Sequence, residues 1–182
     1  MRVITGSARG RKLDYIRSPE VRPTTDRVKE SVFSIIQFEV PGAVVLDLFA
    51  GSGQMGIEAL SRGADLAVFV DDGREPQRII RANLQSTGLA SKSRVVSMDA
   101  KSFLTGTKDR FDIAFLDPPY HHHLLNEILP LLVGKMKKNG VILCEHRKGE
   151  DLPDQVVDFR KKKQYNYGKI SITAYRFIQE DE

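Results

Sequence analysis

The chain has 182 residues, 41% hydrophobic and 29% charged, with a net charge of +4. That composition fits a single globular domain and excludes a disordered chain, and the lone cysteine, Cys144, excludes an internal disulfide. No apolar run is long enough to span a bilayer, and Met1–Gly6 carries no signal-type apolar region, so a cytoplasmic protein is expected.

Residues 1–23 read as irregular or β-like, punctuated by Gly6, Gly10, Pro19 and Pro23. The charge is concentrated here. Residues 1–30 hold eight Lys/Arg and four Asp/Glu, which accounts for the whole +4 and leaves twenty of each sign in the rest (28 less 8, 24 less 4). A basic head on a neutral body points to a polyanion, and Arg2, Arg9, Arg11, Lys12 and Arg22 are the residues expected to meet it. The chain then divides into a basic extension, 1–23, and a core, 24–182, within one domain.

A helix is expected after Thr24-Thr25-Asp26, because Val28, Val32, Phe33 and Ile36 recur at helical spacing. Strands and helices then alternate. Strands are expected over Ala43–Phe49, Leu66–Asp71, Arg94–Met98, Phe111–Leu116 and Gly140–Glu145. Helices are expected up to about Arg62, from Pro76 to Thr87, briefly around Ser102, and over Leu124–Lys137. Val156–Gln164 and Lys169–Ile178 complete the chain as two strands around Asn166-Tyr-Gly168. The pattern predicts an α/β fold with a mostly parallel seven-stranded sheet, one antiparallel strand, and helices on both faces.

The segment Gly51-Ser-Gly53-Gln-Met-Gly56 follows the first core strand and is a G-x-G-x-x-G, with Asp71 closing the next strand. Such a loop lets a ligand approach the backbone, and the acid can hold ribose hydroxyls. A dinucleotide is one candidate ligand. Asp47 favours another: a carboxylate four residues before Gly51 suits a cationic ligand, such as the amino group and sulfonium of S-adenosylmethionine, better than a pyrophosphate. Phe49, Ala50, Gly51, Ser52 and Gly53 would form the cradle. Asp99 and Ala100, where the third strand ends, would meet the adenine, with Asp99 also suited to cap the following helix.

The fourth strand ends in Asp117-Pro118-Pro119-Tyr120. An exocyclic amino group of a base is a poor nucleophile because its lone pair is delocalised into the ring. The Asp117 carboxylate and the Pro118 carbonyl can accept its N–H groups and aim the lone pair, and the two prolines hold those acceptors in place beforehand. Tyr120 offers a face on which a turned-out base can stack. His121-His122-His123 follow, but adjacent histidines do not converge on one point, so no metal is expected. Arg74, Arg78 and Arg81, and the run Arg160–Lys163, read as solvated faces.

On these motifs the chain resembles the bacterial 16S ribosomal RNA guanine-N2 methyltransferases of the small-subunit type. The likeness runs through Arg2–Gly6, Arg9–Leu13, Arg22–Glu30, Leu46–Gly53, Glu58–Ala64 and Asp117–Tyr120. The resemblance implies a Rossmann-like class I S-adenosylmethionine-dependent methyltransferase fold with a short N-terminal extension that grips RNA. It also implies that Arg22–Glu30, Thr25 included, lies near the methionine end of the cofactor. The partner it implies is 16S ribosomal RNA, free or within an assembled small subunit, and a monomer is expected. Guanine suits an ionised Asp117 because its N1–H and N2 amino groups are adjacent donors. Adenine of DNA or RNA, a nicotinamide-dependent dehydrogenase, and a non-catalytic RNA-binding assembly factor are the alternatives.

Overall fold

A computed structural model describes residues 1–17, 24–119 and 123–179. Helix α1 spans Asp26–Ile35 and is capped by the Thr25 side chain, which accepts from the Val28 amide. Then follow β1 (Val44–Leu48), α2 (Gln54–Ser61), β2 (Leu66–Asp71), α3 (Arg74–Thr87), β3 (Ser93–Ser97), α4 (Ala100–Gly106), β4 (Phe111–Leu116), α5 (Leu124–Val133) and β5 (Met136–Arg147). Strands β6 (Gln155–Val156), β7 (Phe159–Tyr167) and β8 (Ile170–Phe177) finish the sheet.

The strand order is β3-β2-β1-β4-β5-β8-β7-β6. Strands β1 to β5 are mutually parallel, and β8 lies antiparallel between β5 and β7. The expected seven strands are all present. The two-residue β6 adds an eighth, because the chain turns sharply at Val157 and pairs Val156 with Phe159.

Two apolar layers cover the sheet. Side chains of α1, α2 and α3 pack with Val45, Phe115 and Leu143 on one face; those of α4 and α5 pack with Leu46, Leu116 and Ile142 on the other. Val3, Ala8 and Leu13 from the N-terminal segment are buried in the first layer. At Gly6 the backbone has φ +92° and a Cβ would fall 1.8 Å from the Ser61 carbonyl oxygen, so only glycine lets the segment lie so close to α2.

Two helix boundaries differ from expectation, and β5 starts at Met136, ahead of the expected Gly140. Helix α5 stops at Val133 and not at Lys137, because the Phe111 amide donates to the Lys135 carbonyl and Met136 pairs with Phe111, drawing these residues into the sheet. Helix α3 begins at Arg74, two residues before Pro76. Proline is tolerated in a first turn, where its missing N–H has no intrahelical partner to lose.

Candidate active site

In the order above the chain winds outward from β1 to β3 and then returns to place β4 on the other side of β1. Open sheets hold ligands beyond the carboxyl ends of the strands at such a reversal. A cavity of about 970 Å³ lies there. It brings together Asp47, Phe49, Ala50, Gly51, Ser52, Asp71, Asp99, Ala100, Asp117, Pro118 and Pro119, which the sequence scatters over seventy residues.

Asp47 is buried on β1, and its Oδ2 accepts from the Gly56 amide at 2.9 Å. Burial pushes its carboxyl up to about 7, and the neighbouring Asp71 charge adds to this. An anion would meet repulsion here, whereas a cation would draw the proton off. Gly56 holds α2 tight to the sheet: a Cβ there would lie 2.4 Å from the Phe69 ring. Phe49 adopts φ +65°, a conformation that non-glycine residues seldom take and that recurs at functional turns.

Both oxygens of Asp71 hold backbone: Oδ2 accepts from the Gly51 amide at 3.0 Å and Oδ1 from the Gly73 amide at 2.9 Å. Burial nonetheless raises its carboxyl above the usual range. The residue thus ties the glycine loop to the start of α3 while lining the cavity. Asp99 caps α4 by accepting from the Ser102 amide at 2.9 Å; the Ser102 hydroxyl, and then that amide, hold its carboxyl below the usual range. Capping and lining the cavity coexist in this residue.

Asp117 is open to the cavity, but protein surrounds it on its other sides. This burial pushes its carboxyl well above the usual range, and the charges of Glu145 and then Asp47 push it further.

Thr25 and Gly53 do not line the cavity. Thr25 is taken up in capping α1, and the lining residue is its neighbour Thr24, whose hydroxyl donates to Glu145 Oε2 at 3.3 Å. Gly53 packs beneath the loop as the residue before α2. Tyr120 and Arg22 lie outside the described residues. Met1, Tyr15 and Ile16 also line the cavity. Sequence order conceals this, because the N-terminal segment returns across α2 and α3 to reach it: the Asp14 amide donates to Asn83 Oδ1 at 2.8 Å, and Asn83 Nδ2 donates to the Asp14 carbonyl at 2.9 Å.

Arg9, Arg11 and Lys12 are exposed, and among the described residues none pairs with a carboxylate. Arg2 is exposed too, but its Nε donates to Asp26 at 3.2 Å. Arg74, Arg78 and Arg81 lie exposed along α3. Cys144 is wholly buried, and burial pushes its thiol far up, so it is an inert core residue. No group of metal-binding side chains occurs among the described residues, and none of their helices is long and apolar enough to cross a membrane.

The family described as Conserved hypothetical protein 95 matches residues 1–176. The ribosomal RNA small subunit methyltransferase D of Escherichia coli K12 is 37% identical over 183 residues, covering 100% of this chain and 90% of that one. A solved structure of an Escherichia coli protein superposes with a TM-score of 0.87 at 34% identity, over 97% of each chain. An RNA methyltransferase from Salinibacter ruber, solved with S-adenosyl-L-homocysteine, shares the fold at a TM-score of 0.67 and 15% identity, over 88% of this chain and 97% of that one.

Proposed function

Because the chain belongs to the Conserved hypothetical protein 95 family and is a full-length relative of ribosomal RNA small subunit methyltransferase D, we propose that it methylates the exocyclic N2 amino group of a guanine in 16S ribosomal RNA. It is a methyltransferase, and S-adenosylmethionine is its cofactor. The observation that carries the proposal is the meeting in one cavity of Asp117-Pro118-Pro119 with the glycine loop, Asp47 and Asp71. One arm of the cavity suits an amino group about to be alkylated, and the other suits a cationic nucleoside.

The bound cofactor supplies an electrophilic methyl carbon on sulfur. The work of the chain is to place the nucleophile. Asp117 accepts an N–H of the amino group, and the Pro118 carbonyl accepts the other, so the nitrogen lone pair points along the line of displacement. Charge complementarity comes from Asp47, which faces the cationic end of the cofactor, while Asp71 accepts from the ribose hydroxyls and Asp99 and Ala100 border the adenine. Thr24 closes the side next to β5. Guanine fits because its N1–H and N2–H groups are adjacent donors toward an acidic wall. We place the RNA-holding surface on the exposed Arg9, Arg11 and Lys12 and on the 1–23 extension, and the enzyme as a cytoplasmic monomer that takes 16S RNA free or in an assembled small subunit.

The test is methylation, with labelled cofactor, of naked 16S RNA and of small subunits lacking the modification, followed by nucleoside analysis. N2-methylguanosine supports the proposal; N6-methyladenosine, or no transfer to either substrate, overturns it.

A further inference from the structure

Glu145 belongs to no motif of the sequence, yet it is the neighbour of Asp117. Phe115 pairs with Leu143 and Leu116 with Cys144, so Asp117 and Glu145 are the next residues on two adjacent parallel strands. Strands so paired run about 4.8 Å apart. The pleat sends Phe115 and Leu143 into the layer beneath α1, and it carries Asp117 and Glu145 toward the same face. Asp47 pairs with Phe115 from the other side and shares that face. Asp117, just past the end of β4, and Glu145 on β5 are thus side by side, with Asp47 of β1 one pleat back on the same face.

No cation pairs with Glu145 or Asp117 among the described residues. Among the described residues Glu145 is held by the hydroxyl of Thr24, which belongs to the cavity wall. Two carboxylates side by side on neighbouring strand ends repel each other, and among the described residues no cation offsets them.

We infer that Glu145 is a positioning residue for the methyl transfer: its carboxylate, held by Thr24 beside Asp117, makes Asp117 the acceptor for the proton that the amino nitrogen sheds. The inference rests on amino-group methylation as the activity. In the step, the N–C bond forms as the S–C bond breaks, and the bonding pair leaves with sulfur. The nitrogen then carries one proton too many, and that proton passes to the Asp117 carboxylate. A lone, hydrated aspartate is a weak base. Raised by desolvation and then by the Glu145 charge, Asp117 binds a proton more readily, nearer working pH, where a general base is effective. Burial likewise raises Glu145, partly opposed by the Thr24 hydroxyl. Among the described residues, the charged groups around Asp117 are Asp47 on β1 and Glu145 on β5, with Arg147 farther along β5 and Asp71, Asp99 and Lys101 across the cavity.

The test compares wild type, Glu145→Gln and Glu145→Asp. Glutamine keeps the acceptor for Thr24 and removes the charge. Carbon-13 carboxyl NMR of the free protein should show the Asp117 midpoint falling by about one pH unit in Glu145→Gln. The acid limb of the single-turnover methylation rate should move down with it, and the plateau should fall severalfold. Melting temperature should hold or rise, since a crowded charge is removed, and S-adenosylhomocysteine affinity should hold. Glu145→Asp retains the charge and should retain the wild-type limb, which keeps the test open should Glu145→Gln fold poorly. An Asp117 midpoint or a rate limb unmoved in Glu145→Gln, or a limb that shifts equally in Glu145→Asp, overturns the inference. The NMR titration needs no substrate. A wild type that methylates no RNA therefore overturns the functional reading, whereas a fixed midpoint overturns this one.

Discussion

Lys29 Nζ lies 3.6 Å from Glu58 Oε2, with both side chains fully buried. Around this pair the N-terminal segment, α1 and α2 are joined. The ammonium donates to the Arg2 carbonyl at 2.6 Å. The carboxylate accepts from the amides of Ile4 and Thr5 at 2.8 and 3.0 Å, and from Arg62 Nε at 2.9 Å. Desolvation pulls the lysine down from its ordinary value, and the Glu58 charge opposes that shift. The stretches Arg2–Gly6, Arg22–Glu30 and Glu58–Ala64 each place a residue in or beside this cluster.

Glu58→Leu should cost about 3–5 kcal/mol, because it strands a buried ammonium and two amides. In a domain of this size each kcal/mol is worth roughly 2–4 °C of melting temperature. Amide exchange in residues 1–17 should accelerate. The double variant with Lys29→Met should lose less than the two single losses added together, since it removes both charges. Additive losses in thermal unfolding would show that the pair is not coupled.

Asp117→Asn keeps an acceptor in its amide oxygen but loses the charge that takes up the proton shed by the amino nitrogen. Methyl transfer should fall by about 10²–10⁴-fold, while calorimetry finds S-adenosylhomocysteine affinity within a factor of about three. A comparable loss of cofactor affinity would place Asp117 in the cofactor site and not in the chemistry.

Cofactor binding should be proton-linked through Asp47. Its carboxyl sits at about 7 in the free protein, and a cationic ligand favours the ionised form. Below that pH, binding of S-adenosylmethionine should release close to one proton, and affinity should climb up to about tenfold per pH unit before levelling off above it. Calorimetry at pH 6 in two buffers of different ionisation enthalpy measures the release directly; a value of zero would separate Asp47 from the ligand charge. Stability follows the same group with its own sign. The folded carboxyl holds its proton more tightly than the unfolded one at 3.8, so the stability it lends is present at low pH and is lost as pH rises from about 4 through 7. Asp47→Asn should therefore melt higher than wild type at pH 8 while binding cofactor more weakly.

Asp71→Ala should weaken S-adenosylmethionine by about 1.5–3 kcal/mol, roughly 10- to 100-fold, because the ribose hydroxyls have no charged acceptor. The amides of Gly51 and Gly73 lose their acceptor as well, so the melting temperature should fall with the affinity. Unchanged affinity in the presence of a lowered melting temperature would leave Asp71 a purely structural tie.

Neutralising Arg9, Arg11 and Lys12 together should weaken RNA binding and lower its salt slope by about 0.7–0.9 for each phosphate left without its cation. These side chains are exposed, while Val3, Ala8 and Leu13 anchor the segment, so melting temperature should not change. Binding to 16S RNA that is unaltered across a salt series would shift attention to the exposed arginines of α3.

Periodicity alone was enough to reveal the strands and helices of the core, because an apolar repeat of 2 or 3.6 residues reports which side of an element is buried. The glycine loop and Asp117–Pro119 were legible for a related reason: each is a short local segment whose backbone shape depends on its own glycines and prolines. Elements that needed a distant partner were not legible. The choice of Thr24 over Thr25 as a lining residue depends on which hydroxyl α1 uses for its cap. The place of Tyr15 and Ile16 in the cavity wall depends on Asn83 and Glu58 holding a segment far away in the chain. Glu145 looked like any strand-end acid until the pairing of β4 with β5 set it beside Asp117. A repeat says that a face is covered but not by what; lateral neighbours come from strand order and register, which the packing of both apolar layers decides together.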